Sequence, residues 1–423
     1  MGTFTVTGTA TAADELLSVS RSAADTVLNW VPAIATHNND TANARCFNLF
    51  PPVSLSSYRM LIQKLKMFRK NYVGVAKKYP FRTPAINTCN TPCMLIQGVN
   101  SHLALALLRQ LPALRKSPTP NPLEINALRT QSNVLNEYMT RQFGVSPDAT
   151  FTDQFISTPH GQLRLRIWTP RQVTTDSVIY YVHGGGLIFC SVEDYDARCA
   201  FWATNTGSTV VCVDYRLSPE HPYPAPLDDV MSGLMWSSEN LHSFGATKII
   251  IAGDSAGGGL AAAAALRNRD TTKIDISAQI LIYPMLDDRN LGPDSRFTGP
   301  FITWGFAYNA FAWNAYLQDQ PTNSNPPIYA APARAQDLKG LPPTYIDMGT
   351  KDILLDEDTA YAKALIAAGV AVDAHMWNGA PHGFDYFAHK TPIAQKAWRA
   401  RFDFVLAIAI KEKNGSAGES LTE

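Results

Sequence analysis

A run of three isoleucines, Ile249-Ile250-Ile251, leads through Ala252 into Gly253-Asp254-Ser255-Ala256-Gly257-Gly258-Gly259, and an alanine-rich stretch follows. Read in order, this is strand, turn and helix with a serine at the turn, the context in which Gly-x-Ser-x-Gly exposes a nucleophilic hydroxyl. The turn is too sharp to admit bulky neighbours at 253 and 257. The hydroxyl faces a helix N-terminus, whose free N–H groups favour developing negative charge. A phosphate loop would carry a lysine after its glycines, and none stands there. Ser255 is the expected nucleophile, with Gly253, Asp254 and Gly257 shaping its turn.

Attack on an acyl carbon creates an oxyanion, which needs donors aimed at it before the bond forms. His183-Gly184-Gly185-Gly186 closes another apolar run, 177–182, upstream of the serine. The amides of Gly185 and Gly186, joined by that of Ala256, are the expected donors. Gly184 supports the same loop. His183 is expected to anchor this loop by a hydrogen bond rather than to act as a base.

Chain order for such a site is serine, acid, histidine. The nine histidines are at 37, 102, 160, 183, 221, 242, 375, 382 and 389, and only the last three follow Ser255. His375 falls inside an apolar strand and His389 lies in or near the last helix. His382 occupies a loop, Asn378-Gly379-Ala380-Pro381-His382-Gly383, just after a strand. It is the expected base. For the acid, Asp347 lies within the preceding strand, while Asp356, Glu357 and Asp358 suit an N-cap and first helical turn. Asp352 lies on the loop between and is the first choice, with Asp356 second. Its task would be to hold the His382 tautomer and balance the imidazolium.

These residues need a scaffold that brings positions 183, 255, 352 and 382 to one edge. From about 148 onward, strands alternate with helices. Segments 151–156 and 163–168 flank the turn Pro159-His160-Gly161 as a hairpin. Further strands are expected at 177–182, 209–213, 248–252, 278–283, 344–348 and 372–377. Helices are expected at 194–204, 225–239, 257–269, 356–368 and 392–411. The fold class is α/β: a mostly parallel eight-stranded sheet flanked by helices, with its chemistry at the carboxyl ends of the strands. Upstream, residues 41–145 read as helical, ending in an amphipathic helix at 124–143. Segment 58–79 has apolar residues at steps of three and four and a face of Arg and Lys without acid.

Composition narrows the functions. The 423 residues carry 36 basic and 36 acidic side chains, so the broad positive footprint of a nucleic-acid binder is missing. With 46% hydrophobic and 17% charged residues, the chain can bury a large core. Six cysteines are too few for a disulfide scaffold, and Cys89 and Cys93 have no second pair at zinc spacing. Neither metal nor cofactor is expected. With no signal-peptide pattern and no apolar run of about 18 residues, a cytoplasmic location is expected.

Taken together, His183-Gly184-Gly185-Gly186, Gly253-Asp254-Ser255-Ala256-Gly257-Gly258, the stretch from Asp214-Tyr215-Arg216 to Pro224-Ala225, Tyr283-Pro284-Met285-Leu286-Asp287 and Asp352-Ile353-Leu354-Leu355-Asp356-Glu357 resemble the hormone-sensitive-lipase-like family of α/β-hydrolases, the family IV esterases. The resemblance covers about residues 123–411. It implies Ser255, Asp352 and His382 as a catalytic triad and Gly185, Gly186 and Ala256 as oxyanion donors. It also implies that Glu220, His221 and Asp228 are structural residues tying a loop beneath the site. It further implies a helical cap built from the N-terminal helices and an insert at about 289–327 carrying Phe301, Trp304, Phe306, Trp313 and Tyr316. The domain expectation is thus a helical extension and cap over 1–145 and an α/β-hydrolase core over 146–423.

The function expected is a serine carboxylesterase that cleaves short- to medium-chain esters through an acyl-enzyme. An amidase, lactonase or acyltransferase on the same triad is the alternative. A more distant one is a ligand receptor like the plant gibberellin receptors, which resemble this family but lack the triad histidine. The partner expected is a small-molecule ester. Peripheral membrane contact through 58–79 and a homodimer are further candidates.

Overall fold

The structure, a computed structural model, describes residues 124–297, 302–318 and 325–410. The expectations for the basic segment 58–79, for Phe301 and for Cys46, Cys89 and Cys93 lie outside the described residues. Cys190, Cys199 and Cys212 are free thiols.

Eight strands form one sheet: β1 (Ala149–Thr158), β2 (Gly161–Pro170), β3 (Ser177–Val182), β4 (Thr209–Val213), β5 (Lys248–Asp254), β6 (Ile276–Ile282), β7 (Thr344–Gly349) and β8 (Val372–Trp377). Their spatial order is β1-β2-β4-β3-β5-β6-β7-β8. β2 alone runs against the rest, pairing antiparallel with both β1 and β4. From β4 across to β8 every pairing is parallel.

The eight helices described are α1 (Ile125–Phe143), α2 (Asp196–Thr206), α3 (Ala225–Glu239), α4 (Ala256–Asp270), α5 (Phe306–Tyr316), α6 (Leu355–Ala367), α7 (Phe384–Phe387) and α8 (Pro392–Ile410). None of them is long and apolar enough to cross a membrane.

β3, β4 and the end of β5 are buried throughout because both faces of the sheet are covered. The two-residue period divides their side chains between two cores. Val178, Tyr180 and Val182 join Ile249 and Ile251 in the core beneath α3, α4 and α6. Ile179, Tyr181, Ile250 and Ala252 join Trp202 of α2 and Trp398 and Phe402 of α8 in the other. The alanines at 261–265 are all buried, so α4 lies between the sheet and its neighbours with no bulky side chain to hold it off. Truncating a buried anchor such as Trp202 should cost about 3–5 kcal/mol.

Two details differ from the sequence expectation. β8 is an edge strand, and Asp373, Ala374 and Met376 are exposed on it. β6 stops at Ile282, leaving Tyr283 in the following turn with φ +33°.

Candidate active site

β5 ends at Asp254 and α4 begins at Ala256, so Ser255 is the single residue between strand and helix. Its backbone is left-handed, φ +56° and ψ −125°. Such a conformation costs a serine about 1–3 kcal/mol and persists only if its surroundings hold it. Here the Ser255 amide donates to Ile282 O at 2.8 Å, while its carbonyl accepts from Met285 N at 2.9 Å and Gly259 N at 3.0 Å. A Cβ at Gly257 would stand 2.1 Å from Val182 O, so the first turn of α4 rests directly on the end of β3.

Asp352 and His382 follow β7 and β8, both at the carboxyl edge. Their two loops are tied to each other. Thr350 N donates to Trp377 O at 3.1 Å and Lys351 N to Ala380 O at 2.9 Å. The Thr350 hydroxyl also accepts from Gly379 N at 2.7 Å. The result brings three side chains distant in sequence into line. His382 Nδ1 is 2.7 Å from Asp352 Oδ2, and His382 Nε2 is 2.8 Å from Ser255 Oγ. Asp352 Oδ1 accepts from Leu354 N at 3.1 Å, which fixes the carboxylate plane. All three residues are buried. With Nδ1–H committed to Asp352, Nε2 carries the lone pair that faces the serine hydroxyl.

The glycine loop lies beside the serine. Gly185 and Gly186 have φ +108° and +58°. No hydrogen bond from the amides of Gly185, Gly186 or Ala256 occurs among the described residues. A Cβ at Gly186 would stand 2.5 Å from Trp304 Cη2, because the indole is seated on the glycine backbone. Trp304 also lies 6.2 Å from the His382 ring, centroid to centroid. Its Nε1 donates to buried Asn309 Oδ1 at 3.0 Å, and Asn309 Nδ2 to Asn290 O at 2.7 Å. Thr303 Oγ1 donates to the His382 carbonyl.

Other residues singled out in the sequence stand apart from the serine. His183 donates from Nδ1 to Gly184 O at 2.8 Å and stacks on Tyr215 at 4.2 Å. Burial holds it below the ordinary imidazole range, as suits a loop anchor. His375 is stacked between Tyr345 and Trp377, and His389 lies beyond α7, its Nδ1 3.3 Å from Tyr386 O. Asp347 is buried in β7 against Arg401. Asp356 pairs with Arg296 at the surface. Of the loop residues, Glu220 pairs with Arg129 and Asp228 with Arg267, and the His221 carbonyl accepts from Ser218 Oγ at 3.2 Å.

The expectation for positions 356–358 needs correcting. The N-cap position is Leu354, and only Asp356 is exposed among these three first-turn acids. Glu357 turns inward, accepting from Leu286 N at 2.7 Å and Asn290 Nδ2 at 2.7 Å. Burial pushes it up to about 8. Asp358 is buried with neither carboxyl oxygen partnered, and burial raises it well above the carboxylate range.

Two supporting clusters have partners that the sequence did not identify. Asp254 accepts from Tyr181 at 2.9 Å, Tyr195 at 2.8 Å and Arg198 at 3.1 Å. Tyr195 in turn accepts from the Gly184 amide at 2.7 Å. On the other side, Tyr283 packs edge-on against His382 at 4.8 Å and donates to Asp385 Oδ1 at 2.6 Å. Arg401, fully buried, pairs with both Asp385 and Asp347. Tyr283 opens one of the stretches that carry the family resemblance, but nothing in the sequence placed its ring beside the base.

No group of three His, Cys, Asp or Glu side chains among the described residues could hold a metal ion. The arrangement can activate a hydroxyl and receive an oxyanion, which suits acyl transfer.

The model of a family with the alpha/beta hydrolase fold matches residues 179–386, a span that holds the glycine loop, Ser255, Asp352 and His382. Esterase LipI of Mycobacterium tuberculosis is 37% identical over 260 residues, 60% of this chain and 80% of its own length. Carboxylesterase NlhH of the same species is 36% identical over 234 residues, 54% of this chain and 73% of its own. Among solved structures, the hyperthermophilic esterase of the archaeon Pyrobaculum calidifontis superposes with a TM-score of 0.65 at 30% identity, covering 74% of this chain and 99% of its own.

Proposed function

Because this chain belongs to the α/β-hydrolase family, among the hormone-sensitive-lipase-like esterases, we propose that it is a serine carboxylic ester hydrolase in which Ser255, His382 and Asp352 form the triad and Gly185, Gly186 and Ala256 supply the oxyanion donors. The observation that carries the assignment is the unbroken line from Asp352 Oδ2 through His382 to Ser255 Oγ, with contacts of 2.7 and 2.8 Å.

Ser255 Oγ attacks the acyl carbon while its proton passes to His382 Nε2. The new C–O bond pushes the carbonyl electrons onto oxygen, which accepts from the three free amides. Collapse breaks the bond to the leaving alkoxide, and the alcohol takes the proton from His382 Nε2. An acyl-enzyme remains. Water then attacks it, losing its proton to the same nitrogen. The second tetrahedral intermediate releases the acid and returns the proton to Ser255. Through both halves the Asp352 carboxylate holds Nδ1–H and balances the imidazolium.

The substrates proposed are esters with short to medium acyl chains. What supports this is the Trp304 indole seated on Gly186 near the base, since it occupies space a long chain would need. The insert at about 289–327, whose described part carries Trp304 and α5, acts as part of a cap.

The test is Ser255→Ala with activated esters, an anilide and a lactone. Ester turnover should fall at least about a thousandfold, and a fluorophosphonate should label the native chain at residue 255 and leave the variant unlabelled. Native-like turnover in the purified variant would overturn the assignment. Faster cleavage of the anilide or lactone than of the ester by the native chain would overturn the choice of ester.

A further inference from the structure

The loop that presents Gly185 and Gly186 does not support itself. Two of its non-glycine residues, Leu187 and Cys190, have φ of +67° and +73°. Left-handed backbone at a leucine is strained and must be held from outside. Inside the loop, Gly185 O accepts from Ile188 N at 3.1 Å and from Phe189 N at 3.0 Å. Leu187 O accepts from Ser218 N at 2.9 Å. A further restraint comes from α1. Arg129 Nε donates to Ile188 O at 2.9 Å and Nη2 to Ser218 O at 3.2 Å. The outer edge of the same guanidinium meets Glu220 in a bidentate pair, at 2.7 and 2.8 Å.

One planar group thus joins the glycine loop and the 218–220 loop to a helix that belongs to neither. Its nearest link to the donors is short: Arg129 fixes the Ile188 carbonyl, and the Ile188 amide fixes the Gly185 carbonyl. Asn136, two turns further along α1, donates to Cys190 Sγ at 3.4 Å, at the other left-handed residue. The pairing also explains the carboxyl of Glu220, which its hydrogen bond to Arg129 holds down to about 2.

We propose that Arg129 is a positioning residue for ester cleavage: by gripping Ile188 O and Ser218 O it holds the Gly185 and Gly186 amides where the oxyanion forms, with Glu220 as its counter-ion. This rests on the reading of Ser255 as nucleophile and of the glycine amides as donors. Arg129 touches no reacting atom. A lysine could reach one carbonyl but not span both and pair with the carboxylate, since it lacks the fork.

The experiment uses the full chain and its Arg129→Ala, Arg129→Lys and Glu220→Gln variants. Reactive serine is counted from the burst of an activated acetate ester, so that kcat is expressed per competent site. Inhibition by an aliphatic trifluoromethyl ketone, whose adduct carries a negative oxygen, is compared with inhibition by the product alcohol. In Arg129→Ala, per-site kcat and ketone affinity should fall together by about 10- to 100-fold, while KM and alcohol affinity stay within about threefold. Arg129→Lys should recover part of both. Glu220→Gln, which leaves the guanidinium on both carbonyls, should lose the least. A merely structural role would instead lower the burst amplitude and leave per-site kcat and ketone affinity unchanged, and that result overturns the proposal. Should Arg129→Ala fail to fold, the same pair of readings in Arg129→Lys decides. A native chain without burst or labelling removes the nucleophile reading and this proposal together; a native burst with an unaffected Arg129 variant removes this proposal alone.

Discussion

The Tyr195 hydroxyl donates to Asp254 Oδ2 at 2.8 Å, and its own oxygen accepts from the Gly184 amide at 2.7 Å. The residue before the nucleophile and the residue before the oxyanion donors therefore share one buried phenol. Their relative position is set by a side chain 59 residues from Asp254, so turn and loop move as one piece.

Tyr195→Phe should separate them. The Gly184 N–H would lose its acceptor inside the protein, a loss of about 1–3 kcal/mol in unfolding free energy. The loop would drift relative to Ser255, lowering kcat by about tenfold with little change in KM. Denaturant unfolding alongside steady-state kinetics checks both. An unchanged kcat would mean that other contacts suffice to hold the loop.

Ser255 offers a test of strain. Its φ of +56° suits glycine, and the strain is shared by any residue with a Cβ. Ser255→Gly and Ser255→Ala should both be inactive, yet the glycine variant should unfold later, by about 1 kcal/mol or more. Equal midpoints for the two would remove strain from the account of the turn.

Glu357 makes stability depend on pH. Burial raises its folded-state value from 4.5 to about 8, so between those values the folded chain keeps a proton that the unfolded chain has lost. The folded state then binds more protons, and stability falls as pH rises across this window. Glu357→Gln removes the titration, and Asn290 can turn its amide to face the new donor. The variant's unfolding free energy should gain on that of the native chain from pH 5 to pH 8, by an amount on the order of a few kcal/mol, read from denaturant unfolding at each pH. A constant difference between the two chains over that range would contradict the reading.

Trp304 should set the size of the substrate. Trp304→Ala clears the indole from Gly186 and from beside His382. The ratio of kcat/KM for the octanoate over the acetate ester should then rise by about tenfold or more. A ratio that does not move would place the chain-length limit elsewhere.

Much of this was legible in the sequence because strand, turn and helix leave local marks. The isoleucine run, the glycines about Ser255 and the Gly/Pro loop about His382 each marked an element end; chain order cut nine histidines to three, and the loop selected His382 among them. Asp352 stood out because the acids at 356–358 fit a helix start. What escaped notice depends on rotation and distance. Periodicity cannot say which of Asp356, Glu357 and Asp358 faces inward, since that follows from how α6 is turned on the sheet. Arg129 sits in an ordinary amphipathic pattern, and its partners lie 59 to 91 residues away. Arg401 reads as one of four charges in α8, beside Lys396, Arg399 and Asp403, although it is buried between two acids.

Arg401 bears on what the base depends on. Asp347 and Asp385 flank the segment that carries the imidazole, and the guanidinium that neutralises them arrives only with α8. A chain cut before residue 401 would keep every reacting group yet leave two buried acids without their cation, and removing one partner of a buried pair costs about 3–5 kcal/mol. Trimming the last helix should therefore silence hydrolysis from a distance, by unseating the segment that carries the base.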